Sequence, residues 1–145
     1  SLVDAPVNGQ LTADRLIGSF DTDGAATAVT TRGDFAFVTN ADFGLQIIDI
    51  SNAASPTIVA TIDTDGSASY SILSGHAATA YVADCSAGLK IIDVADSLNP
   101  FLMGTFDTDG NASQMVLSSN DSYIYIADGD AGLKIIDVSD SSNPI

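Results

Sequence analysis

Apolar residues in this chain come in short bursts separated by clusters of turn formers. Between Pro56 and Pro100 there are four such bursts: Ile58–Ile62 ending at Asp63-Thr-Asp-Gly66, Ala68–Leu73 ending at Ser74-Gly75-His76, Thr79–Val82 ending at Ala83-Asp84, and Leu89–Val94 ending in a polar stretch that closes at Asn99-Pro100. Each burst is rich in β-branched and aromatic residues and bounded by Gly, Asp, Ser or Pro, which predicts four strands. Except near Gln10 to Ile17, no stretch of 12 residues escapes Gly, Pro or an Asp/Ser/Asn cluster, so a repeat built of helix pairs is disfavoured. In Leu89-Lys-Ile-Ile-Asp-Val94 a period of two places Leu89 and Ile91 on one face and Ile92 and Val94 on the other. A strand apolar on both faces belongs in a sheet covered on both sides.

The whole pattern then recurs about every 44 residues. Phe20-Asp-Thr-Asp-Gly24 returns as Ile62-Asp-Thr-Asp-Gly66 and Phe106-Asp-Thr-Asp-Gly110, and Gly44-Leu-Gln-Ile-Ile-Asp-Ile50 returns as Gly88–Val94 and Gly132–Val138. Units of this size cannot bury a core alone and must stack on their neighbours. Four strands per unit make a β-propeller blade, so the expected fold is all-β, with three four-stranded repeats at about 16–57, 58–101 and 102–145. Residues 1–15 lie outside the repeat, as an N-terminal arm or linker. Closed propellers have about four to eight blades, so three form no complete ring. Leu16–Phe20 corresponds to Ile58–Ile62 and Leu102–Phe106, the outermost strand, whereas the sequence stops at Asn143-Pro144-Ile145, where the next outermost strand would begin. The expectation is strand addition between copies, as a ring of two chains or a head-to-tail fibre, or else membership of a longer array.

Tyr81-Val-Ala-Asp84, Gly88–Val94 and Asn99-Pro100, with their counterparts Tyr125-Ile-Ala-Asp128, Gly132–Val138 and Asn143-Pro144, resemble the LVIVD repeat family. The resemblance runs from about Leu16 to Ile145 and implies a β-propeller of bacterial or archaeal surface proteins. It departs from the family at Asp-Thr-Asp-Gly, where Thr-Pro-Gly or a similar turn is commoner. It implies little about function.

Composition narrows the choice of partner. The chain has 46% hydrophobic residues and 16% charged ones, enough to pack a core despite a net charge of −15. All 19 acidic residues are Asp, which favours turns over helix surfaces, so the charge is expected in loops. Two Lys and two Arg against that acidity disfavour nucleic acid and anionic membranes. No stretch has the length and apolarity of a membrane span, and Ser1-Leu-Val-Asp4 lacks the regions of a secretory signal. Low Lys with abundant Ser, Thr, Asp, Gly and Ala leans toward an extracellular or cell-surface setting. The single cysteine, Cys85, excludes an internal disulfide and sits where the other repeats have Ala41 and Gly129, so it reads as a small turn residue.

Loops alternate between the two rims of a propeller, which brings Asp21, Asp23, Asp63, Asp65, Asp107 and Asp109 to one rim with Asp42, Asp84, Asp128 and Asp130. Carboxylates beside a turn glycine are calcium-ligand chemistry, although oxygens from neighbouring loops would have to complete the set. The competing reading is an Asx turn with glycine at positive φ. Arg32-Gly33-Asp34 spells an adhesion tripeptide but aligns with the turns at Ser74-Gly75-His76 and Ser119-Asn120-Asp121. Asn111-Ala-Ser113 and Asn120-Asp-Ser122 match the glycosylation acceptor pattern at Asn111 and Asn120. The tyrosines Tyr70, Tyr81, Tyr123 and Tyr125 are expected to pack between blades rather than to form a carbohydrate platform. His76 is the sole histidine, and the Asp pairs are repeated whereas an active site is singular, so no catalytic residue is assigned. The expectation is a non-enzymatic surface repeat protein with a structural, self-assembling or interaction role, a homo-oligomer or polymer. Its alternatives are a calcium-dependent module that binds a protein or glycan and, third, a hydrolase on the propeller rim.

Overall fold

The computed structural model describes residues 16–76, 78–140 and 144–145. Its first sheet has the order β1 (Ala26–Arg32), β2 (Phe35–Asn40), β3 (Gly44–Asp49), β4 (Thr57–Ile62). The second repeats that order with β5 (Tyr70–Leu73), β6 (Thr79–Ala83), β7 (Leu89–Asp93), β8 (Phe101–Phe106). The third contains β9 (Gln114–Leu117), β10 (Tyr123–Ala127) and β11 (Leu133–Asp137). Every pairing is antiparallel, and a bulge recurs at one place in the first two sheets, between Ile47 and Ile48 and between Ile91 and Ile92. The one helical element among the described residues is a 3₁₀ turn at Gly129–Ala131. No described helix is long and apolar enough to cross a membrane.

Each sheet is a blade, and the blades stack as the alternation of β7 requires. Leu89 and Ile91 join Tyr81 and Ala83 against Met115, Ile124, Ile126, Ile136 and Val138 of the third blade. Ile92 and Val94 join Ala80 and Val82 against Phe37, Leu45 and Ile47 of the first. β7 is thus sealed on both faces, with Leu89, Ile91, Ile92 and the adjoining Val94 all at 0% exposure. Polar side chains stitch the same seams. Thr27 Oγ1 donates to Ala68 O across the first seam (2.9 Å), and Ser69 Oγ donates to Ala112 O across the second (3.1 Å). Arg32 reaches from the first blade to Val94 O (2.8 Å) and Ser97 Oγ (2.6 Å), with its guanidinium 5.0 Å from the centre of the Phe37 ring.

The expected outermost strand at Leu16–Phe20 differs in kind from its counterparts. β4 and β8 are hydrogen-bonded to the third strand of their own blades, whereas Leu16–Phe20 has no ladder among the described residues. Its side-chain packing is nevertheless that of an outer strand. Phe20 lies on Ala36, Val38 and Ile48 of the first blade, just as Ile62 lies on the second blade's core and Phe106 on the third's. The third blade shows the complementary deficit. Ile145 exchanges backbone bonds with Asp137 (2.6 and 3.1 Å), the register that Thr57 and Phe101 take with Asp49 and Asp93, but on the edge away from β10 no strand of the described residues pairs with Leu133 to Ile136. Residues 1–15 and Asn143 lie outside the described residues.

Candidate functional site

The two features singled out in the sequence, the acidic loops and the ends of the array, carry whatever chemistry the surface has. In the first, the Asp pairs make Asx turns. Asp21, Asp63 and Asp107 each accept, through Oδ1, the backbone N–H of the second Asp in the loop, at 2.9, 3.0 and 2.9 Å. It is this second Asp that takes positive φ, 62° at Asp23, 70° at Asp65 and 66° at Asp109, and not the glycine. Asp tolerates the left-handed region better than most residues because its short side chain bonds locally. The glycine is needed for proximity. A Cβ on Gly66 would stand 2.5 Å from Asp84 O and 2.7 Å from its carboxyl, and one on Gly110 would stand 2.3 Å from Asp128 O.

The threonine between the two Asp residues, to which the pattern assigned no role, is the inward-facing member of the loop. Thr64 Oγ1 donates to Asp84 Oδ1 at 2.6 Å and Thr108 Oγ1 to Asp128 Oδ1 at 2.5 Å, all four residues being buried. Gly66 N–H donates to the other Asp84 oxygen at 3.0 Å. Each bond ties an interblade connection to the turn between the second and third strands of the next blade. In the first blade Asn40 stands in place of the buried Asp and donates to Thr22 O (3.1 Å) and Gln46 Oε1 (3.3 Å). Burial pushes the Asp84 carboxyl above the usual carboxylate range; the bonds from Thr64 and Gly66 and the charge of Lys90 pull it down, and nearby Asp65 raises it further. The rim loops therefore do meet, through Thr64 with Asp84, Thr108 with Asp128, and Ala25 N–H with Asp42 Oδ2 (3.3 Å). Among the described residues no three His, Cys, Asp or Glu side chains are grouped so as to hold a metal ion. Cys85 is a free thiol in the Asp84–Gly88 turn at φ 51°, bridged by its backbone to Ala112.

On the opposite rim, Asp49, Asp93 and Asp137 finish the third strand of each blade and accept backbone N–H bonds from Ser51, Ala95 and Ser139 (2.8, 2.9 and 2.9 Å). Hydrogen bonds from Ser51 and Ser139 hold the carboxyls of Asp49 and Asp137 below the usual range. Arg32 of the adhesion-like tripeptide is committed to the second blade, as described above. Asn111 and Asn120 are both exposed, and Asn120 Oδ1 accepts bonds from Ser118 Oγ (2.8 Å) and Ser122 N–H (3.2 Å). His76 stands 4.0 Å from Asp121, whose carboxylate accepts the Gly75 N–H at 2.8 Å and so links the hairpins of two blades.

The far face of the third blade is the second feature. Tyr81, Leu89 and Ile91 of the second blade are 2%, 0% and 0% exposed, whereas their counterparts Tyr125, Leu133 and Ile135 are 38%, 65% and 59% exposed. Tyr125 and Tyr123 thus depart from the expected packing, because no blade covers them here. Ser113, the counterpart of Ser69, donates within its own blade to Ala127 O (3.2 Å).

Stacked antiparallel blades linked outer strand to inner strand, in an unclosed array, define a β-propeller-type repeat protein. The LVIVD repeat pattern matches residues 23–64, 72–108 and 109–145, and the chain belongs to the LVIVD repeat family. Among solved structures, the chain is similar to a structural-genomics protein of unknown function from Bacteroides thetaiotaomicron VPI-5482, with a TM-score of 0.64 at 11% identity. The match covers 84% of this chain and 31% of that one, so the chain spans under a third of that neighbour's length. At this identity the likeness concerns the fold alone. Comparison with curated proteins returned no match.

Proposed function

We propose that this chain is a non-enzymatic structural module of a cell-surface repeat protein, and that it works by joining further blades of its own kind into a larger array. The observation that carries the reading is the last blade's face, where Tyr125, Leu133 and Ile135 are exposed although the same positions one blade earlier are sealed. Large apolar patches left open on a soluble protein mark interaction surfaces. The rim chemistry supports a structural role, since its buried carboxylates are spent on threonine and glycine partners that tie loops to blades. The extracellular setting rests on the Asp-rich, Lys-poor composition. Light scattering across a concentration series tests the reading: growth from 14.8 kDa to discrete or open-ended multiples is expected, and a monomer at every concentration would refute it.

A further inference from the structure

We infer that the seam between the second and third blades carries a receptor for a guanidinium group, on the rim where Asp49, Asp93 and Asp137 lie, and that the chain's own Arg32 shows how such a group is held. In the first seam Arg32, the last residue of β1, projects across to the second blade. Its Nη2 donates to Val94 O (2.8 Å) and Ser97 Oγ (2.6 Å), and its guanidinium lies 5.0 Å from the centre of the buried Phe37 ring. Carbonyl and hydroxyl acceptors beside an aromatic ring suit a planar cation with five N–H donors.

The second seam repeats these surroundings but not the arginine. Arg32 pairs with Phe35 across the β1–β2 hairpin, and Ser74 holds that place in the next blade, its N–H donating to Thr79 O at 2.8 Å. Phe37 and Val94 meet in one core, and their counterparts Tyr81 and Val138 meet in the next. With serine in place of arginine, Ser74, Tyr81, Asp121 and Val138 line a cavity of about 310 Å³. That volume is at the lower end of ligand pockets, about 300–1,000 Å³. Ser74 Oγ is turned back to its own hairpin, where it accepts the Thr79 N–H at 3.3 Å.

A carboxylate faces the same cavity. Asp121, in the β9–β10 hairpin, is anchored by accepting the Gly75 N–H through Oδ2 at 2.8 Å, the oxygen that also lies 4.0 Å from His76 Nε2. Its Oδ1 makes no hydrogen bond among the described residues. A guanidinium entering from the rim would meet that carboxylate on its outer side and, deeper, Tyr81 and Val138, the counterparts of the ring and the carbonyl residue that hold Arg32. The net charge of −15 attracts any cation, but the fork of parallel N–H donors is what separates a guanidinium from an ammonium. The group belongs either to an arginine side chain of a protein partner or to a free guanidinium compound.

The test is an NMR titration of the isotope-labelled full chain with n-propylguanidinium and, in parallel, with n-butylammonium, a cation of similar length. Saturable shifts confined to the amides of Ser74, Gly75, Asp121, Ser122 and Val138 are expected, with n-butylammonium binding at least about tenfold more weakly. Asp121→Asn keeps an acceptor for the Gly75 N–H and tolerates the positive φ of 57°, so its circular dichroism spectrum should be unchanged while its affinity falls at least about tenfold. Ser74→Arg supplies the side chain from within and should raise the melting temperature and block the titration. Equal affinity for the two cations, shifts spread over all the acidic loops, or unchanged affinity in Asp121→Asn would overturn the site, whether or not Ser74→Arg folds. A folded Ser74→Arg that still binds with full affinity would overturn it too. Stronger competition by the peptide Gly-Arg-Gly than by n-propylguanidinium would assign the ligand to a partner's arginine, and weaker competition to a free guanidinium compound.

Discussion

Ile91 and Ile135 are the same residue at the same place in successive repeats, and they differ in one respect: a blade lies over the first and water over the second. Replacing each by alanine therefore isolates what stacking contributes. Ile91 is wholly buried in the seam that includes Tyr81, Leu89, Ile124 and Ile136, and two hydrogen-bonded sheets cannot collapse into the space its side chain leaves. Loss of transfer energy plus the residual cavity places Ile91→Ala at about 3–4 kcal/mol. Ile135 is 59% exposed, so under half of its surface leaves water on folding and no closed cavity forms. Ile135→Ala should cost about 1 kcal/mol or less. The assay is urea denaturation followed by circular dichroism at concentrations where sedimentation shows a monomer, comparing midpoints at constant m-value. If both variants lost the same stability in the monomer, the third blade's face would be covered by part of its own chain, and the case for an open end would fail. At concentrations that favour assembly, the Ile135→Ala cost should climb toward that of Ile91→Ala.

Gly66→Ala should destabilise by about 2 kcal/mol or more in thermal melts, because the new methyl meets the Asp84 backbone and carboxyl, neither of which has room to move. The raised Asp84 carboxyl means the folded state holds its proton more tightly than the unfolded one, so its stabilising contribution is present below the ordinary carboxylate value and is lost as pH rises through the folded value. Relative to Asp84→Asn, the unmodified protein should gain stability as pH is lowered through the carboxylate range, and denaturation midpoints in matched buffers would show the two curves converging or crossing toward acid. Arg32→Ala removes two hydrogen bonds and a cation–π contact across the first seam and should cost about 1–3 kcal/mol, with Lys restoring only part of it in the same urea assay. Each loop's first Asp already spends one oxygen on its own backbone, so chelation of calcium should leave the melting temperature within about a degree by calorimetry; a fall of several degrees would point to a site completed from another copy.

What the sequence made legible follows from what periodicity encodes. Alternation in Leu89–Val94 identified both buried faces of β7, because apolar residues at every phase of a period of two have no other use in a strand. The meeting of the Asp-Thr-Asp-Gly and Asp84–Gly88 loops followed from strand direction alone. Three things did not follow. The choice of Asp65 over Gly66 for positive φ depends on a three-dimensional constraint, the Asp84 carboxyl pressed against Gly66, that no local rule contains. The inward turn of Thr64 has the same cause, since its partner lies 20 residues away. The exposure of Tyr125 is the third, for side-chain type reports which face a residue shares and not what lies opposite.

That last failure has a physical content of its own. A globular domain places polar residues wherever its surface ends, and capping units of repeat proteins do the same. The third blade does not: Tyr125, Leu133 and Ile135 are as apolar as the residues that fill the internal seam, and Ser113 retains the hydroxyl that elsewhere bonds the next blade. The first blade shows what cover does to such a face: Ala36, Val38 and Ile48 are 7%, 8% and 4% exposed beneath Phe20 and Ile50. Apolar area alone would accept many partners, since it is non-directional. The directional element is the hydroxyl of Ser113, whose counterparts Thr27 and Ser69 each bond the carbonyl that opens the next blade.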